Sequence, residues 1–449
     1  MNESNNFTEG KILSPLLKFA LPVLAALFLQ TMYGAVDMLV VGQFADASQV
    51  SAVSTGSWLM QLITSFVVGI AMGTTILLGR KLGEGRAAEA GRIIGASVVL
   101  FAGIGIVITA LMEFFAVPIA GIMQTPPEAF ESTVLYVRIC SAGSVFIVAY
   151  NVLGSIFRGI GNSRMPLVTV AIACVFNIAG DLLLVGVFHM EAAGAAVATV
   201  LAQVLSVVIS LVIIRRQPLP FTISRKDFGW DPKRMSEVFR LGFPIALQDV
   251  LVSVSFLTIT AIVNSLGVVA SAGVGVAEKL CGFVMLVPSA FNQSMAAFVS
   301  QNIGAGRQDR GKKALLYGIG ASLAVGVIMA YFSFFHGDLM AGMFAKDQAV
   351  ISAAADYLKA YAIDCLLVSV MFCMIGYFNG CGKTTFVMLQ GITGAFLVRI
   401  PVSFLMSRIV PVSLFKIGLA TPCSSMIQIL LCVGYFAWLE KGRKNITNF

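Results

Sequence analysis

Residues 50–86 read VSAVSTGSWLMQLITSFVVGIAMGTTILLGRKLGEGR, an apolar stretch that ends in a basic, glycine-rich turn. Positions 50–79 contain no Asp, Glu, Lys or Arg and exceed the roughly 20 apolar residues that a helix needs to cross a bilayer. Similar stretches recur along the chain. Each predicts a membrane-spanning helix, because a helix satisfies its own backbone hydrogen bonds in lipid. The sequence therefore predicts an all-α integral membrane protein.

Twelve such stretches are present, and the composition agrees with a membrane protein. Apolar residues make up 58% of the chain and charged residues only 12%, against roughly 25% charged in ordinary soluble domains. So few charges could not cover a water-soluble globule, and that class is excluded. The predicted spans are residues 14–41, 50–79, 90–114, 131–157, 164–188, 191–214, 236–265, 270–301, 313–336, 351–379, 384–407 and 413–438.

The basic residues predict how these spans are oriented. Most of the 30 Lys and Arg residues fall in segments that lie inside if both termini are cytoplasmic, whereas Lys346, Arg408 and Lys416 fall in outer segments. This bias is typical of membrane proteins, so it explains the net charge of +8 without nucleic acid as a partner. We expect a multi-pass protein of the plasma (inner) membrane, surrounded by the lipid bilayer, with both termini in the cytoplasm.

An internal repeat divides the chain into two halves. One shift of the sequence against itself aligns Gly83–Arg86 with Gly304–Arg307 and Phe157–Gly161 with Phe378–Gly382. Because each copy holds an even number of spans, both copies enter the membrane from the same side, and a cleft is expected between them. We predict twelve helices in two pseudo-symmetric six-helix lobes around a central cleft. The predicted domains are an N-lobe at 1–216, a cytoplasmic linker at 217–235 and a C-lobe at 236–449.

Ionisable residues inside spans cost about 2.5–3.5 kcal/mol each, so they are the first candidates for function. Asp37 lies in the first predicted span, and Asp181 lies in the fifth, one helical turn after Asn177. With the hydroxyl of Thr199 from the sixth span, these side chains predict an all-oxygen site for Na+ or a shared proton. Two carboxylates out of water cannot easily both stay ionised, which suits an ion exchanger. The alternative is a structural pair that bonds to backbone amides.

Other polar residues of the spans are candidates for a substrate cavity. Gln30 shares a helix stripe with Asp37, and the other candidates lie in the second half. Asp364 and Arg399 could instead neutralise one another as a structural pair, an alternative that the sequence leaves open. The candidates are Gln30, Glu278, Asp364, Arg399 and Asp249.

The sequence argues against an enzyme. Its only two histidines, His189 and His336, fall near outer helix ends, so neither a catalytic triad nor a histidine metal cluster is expected. The eight scattered cysteines suit packing in apolar helices rather than disulfides. We expect no cofactor, and we expect the protein to be a monomer.

Several motifs together resemble those of the multidrug and toxic compound extrusion (MATE) family of transporters. Their order and spacing extend over nearly the whole chain and are more specific than any single motif. The motifs are Pro22 and Met32–Asp37 in the first span, Asn177-x-x-x-Asp181 in the fifth, Gly194–Thr199 in the sixth, and the loops Leu82–Arg86 and Ile303–Arg307.

The resemblance implies a secondary antiporter that exports organic cations or amphipathic drugs in exchange for Na+ or H+, by rocking of its two lobes. Some members have a second acidic site on the seventh and tenth spans, where Asp249 and Asp364 lie about one turn from the matching positions. The alternative is a lipid-linked saccharide flippase of the same superfamily, which would need several arginines in its cavity. The coupling-cation ligands that the resemblance implies are Asp37, Asn177, Asp181 and Thr199.

Overall fold

Helices form the regular structure of the described chain. The computed structural model describes residues 7–216, 221 and 224–447, with only the backbone of Arg225 and of residues 442–447. Residues 217–220, 222 and 223 of the predicted linker lie outside the described residues. Within the described part, 11 helical segments are long and apolar enough to cross a membrane, and a bent helix pair brings the number to 12. The predicted all-α membrane fold is confirmed.

The described residues of the first half of the chain form seven α-helices. A π-helical segment, Leu182–Val187, continues the sixth, and a 3-10 turn, Arg225–Phe228, lies in the linker. The helices are α1 (Leu13–Phe44), α2 (Ala47–Gly83), α3 (Ala87–Ile122), α4 (Pro127–Ala142), α5 (Ser144–Ile160), α6 (Arg164–Asp181) and α7 (Glu191–Arg216).

In the second half, the part of the chain that the structure describes forms ten α-helical segments, some of them short. A π-helical segment, Thr393–Arg399, joins α14 to α15. The segments are α8 (Pro232–Asn264), α9 (Val268–Val284), α10 (Leu286–Gly304), α11 (Gln308–Phe335), α12 (Gly337–Gly342), α13 (Gln348–Gly380), α14 (Thr384–Ile392), α15 (Ile400–Ser407), α16 (Leu414–Gly418) and α17 (Ala420–Thr447).

Several predicted spans differ from single straight helices, and two of them are divided into helices of similar length. The predicted span 131–157 is wrong as one continuous helix, because α4 and α5 meet at Gly143 with a bend of 53°. A Cβ on Gly143 would lie 2.6 Å from the side chain of Val200, so the close approach of α7 requires a glycine at the bend. The predicted span 270–301 likewise consists of α9 and α10, which meet at Met285.

Contacts divide the described chain into two units. The first comprises the residues up to Glu9, Lys18–Ala246 and Ser300–Gly306, and the second comprises the rest. The predicted domain boundaries stay a prediction. The core of the first unit includes Leu78, Ile93 and Phe101. The core of the second includes Ile259, Ala277 and Tyr357.

The end of the linker is attached to the first unit. The backbone carbonyl of Asp227 packs on α3, where a Cβ on Gly95 would lie 1.9 Å from the carbonyl oxygen. Asp231 precedes α8, and its Oδ1 accepts a hydrogen bond of 3.1 Å from the backbone N–H of Arg234. The guanidinium of Arg234 also bonds to Asp231 and lies 3.7 Å from Glu89 of α3. Asp231 therefore caps α8, as Asp followed by Pro at N1 favours.

Candidate functional site

The predicted cation ligands meet inside the first unit. The hydroxyl of Thr199 in α7 donates to Oδ2 of Asp37 in α1 at 3.3 Å, and Nδ2 of Asn177 in α6 lies 3.5 Å from the same hydroxyl. The carboxyl groups of Asp37 and Asp181 are near enough to influence one another electrostatically. All four predicted side chains thus belong to one polar cluster, which we call the Asp37 cluster: Asp37, Asn177, Asp181 and Thr199.

Small residues allow the helices of this cluster to approach closely. A Cβ on Gly180 would lie 3.0 Å from Cβ of Ala198, so α6 and α7 are in near contact beside Asp181. Gly194 is equally tight, because its Cβ would lie 3.2 Å from the backbone of Leu184. Small residues have this role between membrane helices in general. The Gly194–Thr199 motif therefore brings the Thr199 hydroxyl to the carboxamide of Asn177.

The Asp37 cluster is buried, and several of its oxygen atoms accept no hydrogen bond from a described residue. Asp37 is 4% exposed and Asp181 is 0% exposed. Oδ1 of Asp37, Oδ1 of Asn177 and both carboxyl oxygens of Asp181 have no hydrogen-bond partner among the described residues. Neither acid forms an ion pair with a described Lys or Arg. Because buried carboxylates must be neutralised, these oxygens fit a proton between the two acids or a hard cation.

Sequence reasoning missed two tyrosines near the cluster. Tyr33 lies one helical turn before Asp37 and interacts with it and with Gln203 of α7. The four-residue spacing between Tyr33 and Asp37 was a usable signal. Tyr136 also interacts with Asp37 and shares a hydrogen bond of 2.9 Å with Ser57, a contact that no local pattern indicates.

Gln30 lies on α1, but its contact is with a different helix. Its Nε2 donates to the hydroxyl of Tyr150 in α5 at 3.0 Å. The side chain is half-buried in the first unit. Its assignment to a substrate cavity stays a prediction.

The other predicted cavity residues lie in the second unit, where they are not equivalent. Asp364 of α13 and Arg399 are buried, whereas Asp249 of α8 is exposed. Glu278 of α9 is half-buried and accepts a hydrogen bond of 3.3 Å from Thr260. Arg399 ends the π-helical segment, which the sequence did not predict. Their role in substrate binding stays a prediction.

The family model described as MatE matches residues 22–183 and again residues 244–405, which together make up more than half of the chain. The chain belongs to the MatE family. Its members are transporters rather than enzymes, and the resemblance seen in the sequence motifs is confirmed. Because the same model matches both halves, they are copies of one unit.

Two relatives in this family have names that refer to drug resistance. The chain is 26% identical over 436 residues to the probable multidrug resistance protein YoeA of Bacillus subtilis (strain 168), covering 96% of this chain and 94% of YoeA. It is 24% identical over 421 residues to the multidrug export protein MepA of Staphylococcus aureus (strain MRSA252), covering 90% of this chain and 89% of MepA. Both alignments extend over nearly the full length of each protein.

The fold is that of solved MATE structures. A crystal structure of MATE in complex with MaL6 superposes with a TM-score of 0.90 at 18% sequence identity, covering 100% of this chain and 99% of that one. At this identity the similarity concerns the fold. The predicted two-lobe architecture of a multi-pass membrane protein is therefore confirmed.

Proposed function

We propose that this MatE protein is a secondary antiporter that exports organic cations or amphipathic drugs in exchange for Na+ or H+ bound at the Asp37 cluster. One observation carries the proposal: Asp37 and Asp181 are buried in the same polar cluster, and neither has a basic partner among the described residues. Such a pair needs a mobile cation for neutralisation. The names of YoeA and MepA support drugs as the exported class.

The cluster would couple transport by losing and regaining its cation. A ligand drives a conformational change only if its affinities for the two conformations differ. The cation must therefore bind the carboxyl pair more tightly in one conformation of the protein, inward-open or outward-open, than in the other. One charge that moves inward across a potential of 100 mV releases about 2.3 kcal/mol. That energy supports a concentration ratio of roughly fiftyfold for an uncharged exported solute.

The remaining assignments follow from this proposal. We place both termini in the cytoplasm of a plasma membrane, since the basic residues fall on that side of the predicted spans. The protein would act as a monomer, with the lobes rocking between inward and outward openings. We do not favour the flippase alternative, because the Asp37 cluster is acidic and has no arginine in it.

Efflux of a fluorescent organic cation such as ethidium from proteoliposomes tests the proposal. An imposed Na+ gradient and an imposed pH gradient are applied separately to the wild type, Asp37→Asn and Asp181→Asn. We expect one gradient to drive efflux by the wild type and neither to drive it by the variants. Glu113→Gln in α3 is the matched control and should keep full efflux. Full gradient-driven efflux by Asp37→Asn would show that the assignment is wrong.

A further inference from the structure

One face of α9 is exposed and contains a lysine between small residues. After the first turn of this helix, its exposed residues are Ala272, Gly275, Lys279 and Gly282, which we call the Lys279 face. Their spacing of three or four residues places all of them on one side of the helix. The other side packs into the second unit, where Ala277 belongs to the core. The Lys279 face is therefore the side of α9 that has no helix packed against it.

The space beside Lys279 is open in both directions along the helix. A Cβ on Gly275, one turn before the lysine, would have no heavy atom within 4 Å, and the same holds for Gly282, one turn after it. The lysine side chain therefore does not fold back over either glycine. Because these positions have no side chain, a flat apolar group can approach the helix backbone on either side of the lysine.

Lys279 lies too deep in its span to reach the lipid headgroups. It follows Val268, the first residue of the span, by about 17 Å along the helix axis, and the hydrocarbon core is roughly 30 Å thick. A lysine exposed to lipid at this depth is costly, so such residues face a water-filled cavity or a partner. Faces that suit lipid contact look different, since α11 exposes large apolar residues such as Leu316, Ile328 and Phe335. The Lys279 face therefore lines a water-filled space rather than lipid.

No described acid neutralises Lys279. Its Nζ forms no hydrogen bond or ion pair with a described residue. The preceding residue, Glu278, instead contacts α8, where it accepts a hydrogen bond of 3.3 Å from Thr260. Lys359 of α13 provides a contrast, because it is also exposed within a span but its Nζ lies 3.8 Å from Oδ1 of Asp356. The ammonium of Lys279 is thus a charge without a counter-ion inside the span.

We propose that Lys279 binds the oxyanion group, such as a carboxylate, of amphipathic molecules that the protein exports. An ammonium offers three hydrogen-bond donors and a full positive charge, which an oxyanion complements. The open space at Gly275 and Gly282 accepts the apolar part of the same molecule. This inference rests on the proposed export of amphipathic compounds and specifies their chemistry. The second unit recognises an anionic group, whereas the Asp37 cluster of the first unit is acidic.

Two fluorescent probes with the same ring system test this proposal. Tetramethylrhodamine carries a carboxylate, and its methyl ester lacks that negative charge. Fluorescence anisotropy measures the dissociation constant of each probe for the purified full-length protein in a non-ionic detergent. We expect Lys279→Gln to weaken binding of tetramethylrhodamine roughly tenfold or more, because a charge-assisted hydrogen bond is lost. Binding of the methyl ester should stay unchanged, which also shows that the variant is folded.

Further variants separate the charge of Lys279 from its size and from the net charge of the protein. Lys279→Arg keeps the positive charge and should keep the difference in affinity between the two probes. Lys279→Glu reverses the charge and should favour the methyl ester over tetramethylrhodamine. Lys346→Gln is the matched control, because it removes an exposed lysine between α12 and α13 of the same unit and should change neither affinity.

The salt dependence of wild-type binding keeps the test decisive if a variant folds poorly. Salt screens the attraction between exposed charges, so it should weaken binding of tetramethylrhodamine more than binding of its methyl ester. The proposal is overturned if the wild type binds neither probe, if salt affects both probes equally, or if Lys279→Gln affects both equally or neither. No ion gradient is applied, so each of these results is independent of the efflux experiment that tests cation exchange at the Asp37 cluster.

Discussion

Gly83, at the end of α2, packs directly on the backbone of Gln301 in α10, where a Cβ on Gly83 would lie 2.0 Å from the carbonyl oxygen. The contact is reciprocal, since a Cβ on Gly304 would lie 2.0 Å from the carbonyl oxygen of Arg80. Nε2 of Gln301 also donates to the carbonyl of Gly159 at 2.9 Å. Gly83 and Gly304 are the matching glycines of the repeated loop motif. The repeat thus preserves a backbone contact within the first unit, which explains why both copies have glycine.

Alanine at either glycine should destabilise the protein. Gly83→Ala and Gly304→Ala each force the two backbones apart, and overpacking of this kind typically costs about 1–3 kcal/mol. Thermal unfolding in detergent measures the effect. Gly103→Ala in α3 is the control, because its Cβ would have no neighbour within 4 Å. Equal melting temperatures for Gly83→Ala and Gly103→Ala would show that the contact contributes nothing.

Thr199→Val should weaken cation binding without removing a carboxylate. The change deletes the hydroxyl that donates to Asp37. A hydrogen bond to a charged group contributes about 1.5–3 kcal/mol, so the apparent affinity for the driving cation should fall roughly tenfold or more. The dependence of efflux on cation concentration measures this shift.

Two further variants separate the loss of this hydroxyl from general disturbance. Thr199→Ser keeps the donor and should stay near the wild type. Thr169→Val in α6 removes a hydroxyl that bonds to the carbonyl of Pro166 at 3.0 Å, outside the cluster. An unchanged cation affinity in Thr199→Val would remove Thr199 from the site.

Asp231 should make part of the protein's stability depend on pH. The backbone N–H of Arg234 and then its guanidinium hold the pKa of Asp231 below its ordinary value. An acid whose pKa is lower in the folded state stabilises it above the unfolded pKa of about 3.9, and this contribution is lost as the pH falls through the folded value. The wild type should therefore lose more stability than Asp231→Asn between about pH 5 and pH 3.

Melting temperatures over this pH range measure the difference between the two proteins. Asparagine still accepts the capping hydrogen bond, so the variant isolates the charge of Asp231. We expect the curves to converge at low pH. Curves that remain parallel down to about pH 3 would contradict the assigned ion pair with Arg234.

The sequence predicted those features that follow from local pattern. Uninterrupted apolar stretches are long enough to require spanning helices, and the four-residue spacing of Asn177 and Asp181 puts both side chains on one helix face. The inclusion of Thr199 in one site with Asp37 followed from chemistry, because hydroxyl and carboxyl oxygens are the ligands that a hard cation prefers. Other features depend on how separate helices pack, which no single stretch of sequence specifies. They are the partners of Arg399, the bend at Gly143 and the contact of Gly83 with Gln301.

The two π-helical segments affect how this chain should be aligned with its relatives. Leu182–Val187 begins directly after Asp181, and Thr393–Arg399 ends at Arg399, so each wide turn adjoins a charged residue. A wide turn of this kind accommodates about one more residue than an α-helical turn. In a relative that lacks the wide turn, the residue next to the aligned one would lie at the same depth of the membrane. Gap placement in these two helices therefore decides which residue of a homologue counts as the equivalent of Asp181 or Arg399.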